Sequence, residues 1–124
     1  IAIVLAAKAA GVPVISSMGA GNKVNPAMFE VADIYKTKVD PLARVMRQAM
    51  KKSNIKKLKV VYSQELPLLP INEEIESECH AETSKRRALP GSNAFTPSVA
   101  GLIIASEVIK DLVGWDDSHR KGLA

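Results

Sequence analysis

The run Val12-Pro13-Val14-Ile15-Ser16 constrains the fold more than any other part of the sequence, because its β-branched residues are apolar on both faces of a strand. Such a strand is typical of a parallel sheet that helices cover on both sides. Residues 1–10 are apolar and alanine-rich, which predicts the end of a helix that stops at Gly11. A helix, a doubly covered strand and a glycine-rich loop in this order predict an α/β fold.

Two further strands and a helix are predicted downstream. Alternation with period two predicts a strand over residues 28–38, in which Asp33 is expected to be a hydrogen-bonded structural group or a solvent-facing residue rather than a catalytic acid. Residues 58–63 predict the next strand. Between the two, Asp40-Pro41 predicts a helix start, with the carboxylate as N-cap and proline in the first turn. The apolar stripe predicted for this helix comprises Leu42, Val45, Met46, Ala49 and Met50.

Residues 64–96 separate these elements from a last predicted helix. They contain prolines and glutamates without a sustained period, which predicts a long, mobile, crossover-like segment. The last helix is expected to start at Pro97, to end at Val113 and to be capped by Gly114. It is apolar nearly all round over residues 99–105, so we expect it to be central in the fold.

The composition fits a single globular domain over residues 1–124. With 47% hydrophobic and 24% charged residues, the chain differs from collagen-like, low-complexity and disordered proteins. Its single cysteine excludes a disulfide scaffold and a zinc site built from cysteine pairs, and it suits a reducing cytoplasmic location. No apolar stretch reaches the roughly 20 residues of a membrane span, so no stable membrane insertion is expected. Because the chain starts at Ile1 rather than Met, we expect it to be processed or cut from something longer.

Basic residues are concentrated between positions 36 and 59, where nine basic side chains accompany a single acid, Asp40. Residues 60–82 contain six glutamates and no basic residue. The basic cluster is compatible with an RNA-facing patch, because neutralising phosphates releases counterions. A solvated helix face is the alternative explanation, since no aromatic residues are interleaved with the charges. The nine residues are Lys36, Lys38, Arg44, Arg47, Lys51, Lys52, Lys56, Lys57 and Lys59.

The glycine-rich loop over residues 17–23 is the first candidate site, because ligands bind at the carboxyl ends of strands in open α/β sheets. It lacks the G-x-x-x-x-G-K-[ST] pattern of a phosphate loop. Gly19 and Gly21 have two explanations, namely backbone N–H groups presented to an anion or a turn that needs positive φ. Together with Asn22 they form the candidate loop.

Cys79 is the second candidate, as a reactive thiol. It lies beside His80 and close to the basic residues 85–87, and positive neighbours favour a nucleophilic thiolate. An incidental exposed cysteine is the alternative, because the sequence shows no partner base. Neither paired carboxylates nor a histidine cluster is visible, so no metal site is predicted.

Three stretches of the chain carry a family resemblance. They are KAAGVPVISSMGAGNK over residues 8–23, DIYKT with DPLAR over residues 33–44, and PGSNAFTPSVAGLIIASEVI over residues 90–109. They resemble the HesA/MoeB/ThiF family of ubiquitin-activating-like adenylating enzymes, and within it the tRNA threonylcarbamoyladenosine dehydratase branch. The resemblance covers nearly the whole chain.

The resemblance implies that the chain is the carboxyl-terminal part of a Rossmann-like ubiquitin-activating-type fold, with a mixed parallel and antiparallel sheet flanked by helices. It implies that the nucleotide loop, the adenine-ribose acid, the catalytic Arg and Lys and the magnesium-binding Asp lie upstream of residue 1. The full enzyme is implied to adenylate the carboxylate of threonylcarbamoyladenosine in tRNA with ATP and magnesium. It then cyclises the product with loss of AMP, and the present part is expected to be inactive alone.

The resemblance also implies partners and surfaces. A tRNA-facing surface is expected at Lys23, Arg44, Arg47 and Lys51, and a homodimer is expected because family members commonly form one. The absence of cysteine pairs agrees with the dehydratase branch, which uses no zinc.

Two alternative functions remain open. The first is activation of a sulfur-carrier or ubiquitin-like protein, with Cys79 taking part in thiol transfer to a sulfur-transfer partner. The second is a non-catalytic interaction module, in which the basic helix and exposed sheet edges serve assembly.

Overall fold

A computed structural model of the chain describes residues 1–69 and 90–121. The predicted segment over residues 64–96 therefore lies partly outside the described residues, and Cys79 and His80 lie wholly outside them. The helices and strands in chain order are α1 (Ala2–Ala9), β1 (Ile15–Ser17), β2 (Phe29–Asp33), α2 (Pro41–Lys52), β3 (Lys59–Ser63) and α3 (Thr96–Val113). Short 3-10 turns occur at Pro26–Met28, Ile34–Lys36 and Asp117–His119.

The strands form one three-stranded sheet in the order β1-β3-β2. The outer strand β1 is parallel to β3, with Ser16 beside Val60. The other outer strand, β2, is antiparallel to β3, with Val31 beside Val61. The prediction of an α/β fold with a mixed parallel and antiparallel sheet is therefore confirmed.

Helices cover both faces of this sheet, as the apolar strands require. Val60 packs on one face with Met46 and Met50 of α2. Its neighbour Val61 points to the opposite face and packs there with Ala100 of α3. Because successive side chains of a strand alternate between faces, one short strand serves two apolar cores.

The first strand is shorter than predicted, because the start of the apolar run 12–16 belongs to the cap of α1. Gly11 adopts a φ of +67° and donates its N–H to Lys8 O at 3.2 Å, while Val12 donates to Ala7 O at 2.9 Å. This pair of hydrogen bonds is a Schellman cap, so the prediction that the helix stops at Gly11 is confirmed. The strand begins only at Ile15, after the cap and Pro13.

The second strand also ends earlier than predicted, at Asp33. The Asp33 carboxylate accepts the Tyr35 N–H at 3.0 Å and the Leu58 N–H at 3.1 Å. These bonds start a 3-10 turn at Ile34–Lys36 and hold it against the start of β3. The prediction of a hydrogen-bonded structural role for Asp33 is confirmed.

The helix α2 starts as predicted, with Asp40 as N-cap and Pro41 as the first helical residue. Its buried face is narrower than the predicted apolar stripe and runs through Ala43, Met46 and Met50. Leu42 and Val45 are exposed instead, because a three-stranded sheet covers only a narrow stripe of a helix.

The helix α3 ends at Gly114, whose φ of +62° confirms the predicted cap. It is not central, however. Ala100 packs on the sheet, whereas Leu102, Ile109 and Leu112 are 70%, 60% and 80% exposed. The described part of the chain covers one side of this helix only. No helix in residues 1–69 and 90–121 has both the length and the apolar character needed to cross a bilayer.

An ionic network joins α3 to β3. Lys59 Nζ lies 3.3 Å from Glu107 Oε2 and 2.7 Å from Asp111 Oδ2, and Lys110 also bonds to Glu107. Lys110 and then Lys59 lower the pKa of Glu107 below its usual value of 4.5, against the opposing effect of burial. The hydrogen bond that the Lys59 ammonium donates to Asp111 is the main cause that raises the pKa of Lys59.

The lowered pKa of Glu107 predicts acid sensitivity of α3. A carboxylate whose pKa is lower in the folded state stabilises the fold above its unfolded pKa, and this stabilisation is lost as pH falls through the folded pKa. Stability is therefore expected to decline below the usual Glu107 pKa of 4.5, and Glu107→Gln should flatten this decline. Urea unfolding from about pH 6 to about pH 3 measures the effect. Glu30→Gln on β2 is the control, and equal pH profiles for wild type and Glu107→Gln would contradict the prediction.

Candidate functional site

The loop of residues 17–25 leaves β1 at the end of the sheet where the parallel strands β1 and β3 have their carboxyl termini. In open α/β sheets this is the end at which ligands bind. The chain segments that follow β3 and precede α3 both approach this loop, as the contacts below show. The candidate site is therefore built from three separate parts of the sequence.

Gly19 makes close contact with a carboxylate of the same chain. Its N–H donates to Asp40 Oδ2 at 3.1 Å, and a Cβ at Gly19 would lie only 3.1 Å from the same oxygen. Neither Gly19 nor Gly21 has positive φ, and in this loop Asn22 does, at 55°. The explanation by a positive-φ turn is therefore wrong for both glycines. The other explanation, a backbone N–H presented to an anion, applies to Gly19, and the anion is the carboxylate of Asp40 in the same chain.

Lys23, expected on the tRNA-facing surface, lies inside the protein. Only 3% of the residue is exposed. Its ammonium donates to Asp40 Oδ2 at 3.0 Å and to Gly19 O at 2.8 Å. A buried charge requires such partners, because desolvation of an unpaired ammonium costs several kcal/mol. The Asp40 carboxylate supplies one of them and also accepts the Ala43 N–H at 2.9 Å as the cap of α2.

The close approach at Gly19 predicts a cost for any side chain there. Gly19→Ala is expected to lower the free energy of unfolding by about 1 to 2 kcal/mol, because the new methyl group must displace the buried carboxylate. Gly101→Ala is the matched control, since nothing lies within 4 Å of a Cβ at this exposed helical position. The control should raise stability by up to about 1 kcal/mol through helix propensity. Urea denaturation of both variants checks the opposite signs, and a neutral Gly19→Ala would contradict the prediction.

Residues 22–25 bind both chain segments that flank the sheet end. Before residue 70, Leu68 donates its N–H to Asn22 O at 2.7 Å. Glu65 accepts the N–H groups of Val24 at 2.9 Å and Asn25 at 3.0 Å. The short stretch 22–25 therefore holds the segment that leaves β3.

The segment before α3 is held by the same stretch. Asn22 N–H donates to Gly91 O at 2.8 Å, and Gly91 N–H donates to Asn22 Oδ1 at 2.7 Å. The carbonyl of Lys23 accepts from Asn93 Nδ2 and from Thr96 Oγ1, both at 3.0 Å. We call residues 22–25, together with the hydrogen bonds that they make to these two segments, the loop clamp.

The sequence interpretation missed Glu65, Asn93 and Thr96 as parts of this site. Asn93 offered a local signal, because an Asn three residues before the first helical turn commonly accepts backbone N–H groups. Its Oδ1 accepts from Phe95 N at 3.1 Å and Thr96 N at 2.7 Å. Glu65 offered no such signal, since its partners lie 41 and 40 residues away.

A cavity of about 370 Å³, open to solvent, lies between the loop clamp, the segment that leaves β3 and the segment before α3. This volume is within the usual range of small-molecule sites. Its described lining combines amide and hydroxyl groups with aliphatic side chains. The lining residues are Asn22, Lys23, Val24, Leu68, Leu69, Pro90, Gly91, Ser92 and Asn93.

The basic residues of α2 do not all have the same role. Arg44 and Lys51 are exposed on the solvent side of the helix. Arg47 is half-buried and donates to Thr37 O at 2.9 Å and to the Thr37 hydroxyl, so it also holds the chain before α2. The structure thus brings Gly19, Asn22 and Lys23 together at the sheet end and leaves Arg44 and Lys51 on the surface.

The described residues contain no cluster of metal-ligating side chains of their own. No group of three or more His, Cys, Asp or Glu side chains in residues 1–69 and 90–121 is arranged to hold a metal ion. The Asp40 carboxylate is bound by Lys23, Gly19 and Ala43. No chemical step is therefore assigned to a metal or nucleotide bound by these residues.

Comparison with curated proteins identifies relatives over most of the chain, although no protein-family model matches it. The tRNA threonylcarbamoyladenosine dehydratase of Bacillus subtilis (strain 168) is 46% identical over 106 residues, covering 82% of this chain and 41% of the relative. The tRNA threonylcarbamoyladenosine dehydratase 2 of Saccharomyces cerevisiae is 38% identical over 115 residues, covering 82% of this chain and 26% of the relative.

Solved structures show the same fold. The E. coli tRNA N6-threonylcarbamoyladenosine dehydratase TcdA in complex with AMP matches with a TM-score of 0.70 at 20% identity, covering 91% of this chain and 43% of TcdA. Its complex with ATP matches with a TM-score of 0.67 and covers 98% of this chain and 45% of TcdA. The chain spans less than half the length of these relatives. The predicted family resemblance is thereby confirmed: the chain is related to the tRNA threonylcarbamoyladenosine dehydratases and corresponds to a part of those proteins.

Proposed function

We propose that the complete protein containing this chain is an ATP-dependent tRNA threonylcarbamoyladenosine dehydratase. The observation that carries the proposal is the 46% identity over 106 residues to the Bacillus subtilis protein of that name. The fold shared with TcdA, which has been solved with AMP and with ATP, supports the use of ATP. Under this proposal the chain is one part of the enzyme and is inactive alone.

The proposed reaction removes water from a carboxylate and a neighbouring carbamoyl group. A carboxylate oxygen of the threonylcarbamoyl group attacks the α-phosphorus of ATP, and pyrophosphate leaves. A nitrogen or oxygen atom of the carbamoyl group then attacks the activated carbonyl carbon and gives up its proton, and AMP leaves as the ring closes. ATP, with magnesium, and the catalytic side chains are assigned to the part of the protein that this chain does not include.

The chain contributes a surface for tRNA under this proposal. Seven of the nine basic residues between positions 36 and 59 are exposed, whereas Arg47 and Lys59 are partly buried and bonded to other parts of the chain. Exposed ammonium and guanidinium groups attract phosphates and release counterions. The exposed residues are Lys36, Lys38, Arg44, Lys51, Lys52, Lys56 and Lys57.

Homodimer formation and a cytoplasmic location belong to the same proposal. The side of α3 away from the sheet exposes Leu102, Ile109 and Leu112, which supports association with further protein surface. Light scattering of the complete protein at several concentrations measures its mass. A mass of one chain at all concentrations would contradict the homodimer.

The activity is tested with the complete gene product and two tRNA preparations. One preparation carries threonylcarbamoyladenosine, and the matched control lacks the threonylcarbamoyl group. AMP is expected to form from ATP only with the modified tRNA, and the nucleoside is expected to lose the mass of one water molecule. AMP formation that is indifferent to tRNA but depends on a carrier protein would contradict the proposal and favour sulfur-carrier activation, in which Cys79 would be examined for a covalent adduct.

A further inference from the structure

Lys23 connects the starts of two helices that lie on opposite faces of the sheet. Its ammonium bonds to Asp40, which is the N-cap of α2. Its carbonyl accepts from the side chain of Thr96, the first residue of α3, and from Asn93. A single residue at the sheet end therefore sets the position of both helix starts relative to each other.

The loop clamp extends this connection to the walls of the cavity. Asn22 bonds to Leu68 and Gly91, and Asn93 bonds to the carbonyl of Lys23. All four residues line the cavity together with Lys23. A shift of Lys23 therefore moves both sides of the cavity, the one that contains Leu68 and the one that contains Gly91 and Asn93.

Stability is a weak explanation for the ion pair itself. The side chains of Lys23 and Asp40 are 2% and 0% exposed, so both charges have lost their hydration. Replacing a buried ion pair by uncharged groups is often neutral or stabilising, whereas removal of one partner is strongly destabilising. What the pair supplies is a defined geometry, because the ammonium must satisfy Asp40 Oδ2 and Gly19 O together.

We infer that Lys23 and Asp40 are a positioning pair, which holds the cavity at a set distance and orientation from the basic surface of α2. The inference rests on the proposed function, in which α2 binds tRNA phosphates, and adds to it that the modified nucleoside enters the cavity at the sheet end. Small errors in the placement of a reacting group reduce turnover more than binding. Loss of the pair therefore slows turnover and leaves tRNA affinity nearly unchanged.

A double variant separates positioning from folding. In the complete protein, Lys23→Met and Asp40→Asn each leave a buried charge or polar group without its partner, so both single variants should lose stability. The double variant leaves no unpaired buried charge, and its Asn keeps the N-cap, so it should fold. Its kcat with modified tRNA is expected to fall at least tenfold, on the order of 1.4 kcal/mol, while the Kd for tRNA changes less than about twofold.

The matched control is Arg120→Met with Asp117→Asn, a pair whose side chains are 61% and 65% exposed and which is distant in sequence from the loop clamp. This control should leave kcat unchanged. A folded Lys23→Met, Asp40→Asn protein with wild-type kcat would overturn the inference. It would show that the pair is needed only for folding and not for turnover. A loss of tRNA affinity at unchanged kcat would overturn it as well.

Amide hydrogen exchange on the same proteins provides a readout that does not depend on activity. The N–H groups of Asn22, Val24, Asn25 and Gly91 are expected to exchange faster in the double variant, and those of β3 at the wild-type rate. Unchanged exchange in the loop clamp would overturn the inference. If the wild-type protein forms no AMP with modified tRNA, the proposed function fails, and the exchange result alone decides whether the pair positions the cavity walls.

Discussion

Replacing Asp40 by alanine is expected to lower the free energy of unfolding by about 4 kcal/mol. Most of the loss comes from Lys23, whose side chain is 2% exposed and whose ammonium would lose its carboxylate partner. Breaking a buried ion pair from one side typically costs about 3 to 5 kcal/mol. The N-cap of α2 is lost at the same time, which adds about 1 kcal/mol. Single domains have total stabilities of about 5 to 15 kcal/mol, so this variant approaches the unfolding threshold.

Urea or guanidinium denaturation at constant pH measures this loss. The control is Asp111→Ala, which removes an ion pair with Lys59 from a carboxylate that is 59% exposed. Exposed pairs contribute about 0 to 1 kcal/mol, so the control should change stability little. An Asp40→Ala protein within about 1 kcal/mol of the wild type would show that the Lys23 ammonium finds another partner or water.

Reversing three charges on α2 is expected to weaken tRNA binding by the complete protein on the order of 100-fold at about 0.1 M salt. Arg44, Lys51 and Lys52 are exposed, and at about 100° per residue they lie on the solvent side of the helix. Each phosphate contact changes the slope of log K against log salt by about 0.7 to 0.9. Three lost contacts therefore lower affinity by about two log units at 0.1 M, or about 2.7 kcal/mol.

Binding titrations over a salt series test this result for the variant with Arg44→Glu, Lys51→Glu and Lys52→Glu. The slope should decrease by roughly 2 units as well as the affinity. Lys8→Glu with Lys121→Glu is the control from exposed positions outside the basic cluster. Arg47 is left unchanged, because its bonds to Thr37 would add a structural effect. Equal losses per reversed charge in control and variant would assign the effect to net charge rather than to this surface.

Local rules in the sequence predicted the helix ends correctly. Gly11 and Gly114 have the left-handed backbone that a helix terminus needs, and Asp40-Pro41 starts α2. These signals work because a cap involves residues only a few positions apart. The ends of the strands were less well predicted, since Asp33 stops β2 partly by accepting the N–H of Leu58, which lies 25 residues away just before β3.

The candidate site depends on contacts that such local rules do not predict. The basic charge of Lys23 indicated a surface position, but its partner Asp40 lies 17 residues away and both are buried. Gly19 indicated a turn or an anion site, and the anion is the same Asp40 carboxylate. Burial and partnership of a charge depend on contacts between distant segments, which composition and spacing do not contain.

The sequence by itself determined the α/β class, the sheet covered on both faces and the family resemblance. Strand patterns and helix caps depend on residues a few positions apart, and the family motifs are runs of consecutive residues. Only the tertiary structure decided which charges face solvent and which hold the fold together. Lys23 and Arg44 illustrate the difference, since both are basic but one is 3% exposed and the other lies on the surface. The physical reason is that a buried ammonium is tolerated only where folding brings a carboxylate and a carbonyl to it, and here those groups come from Asp40 and Gly19.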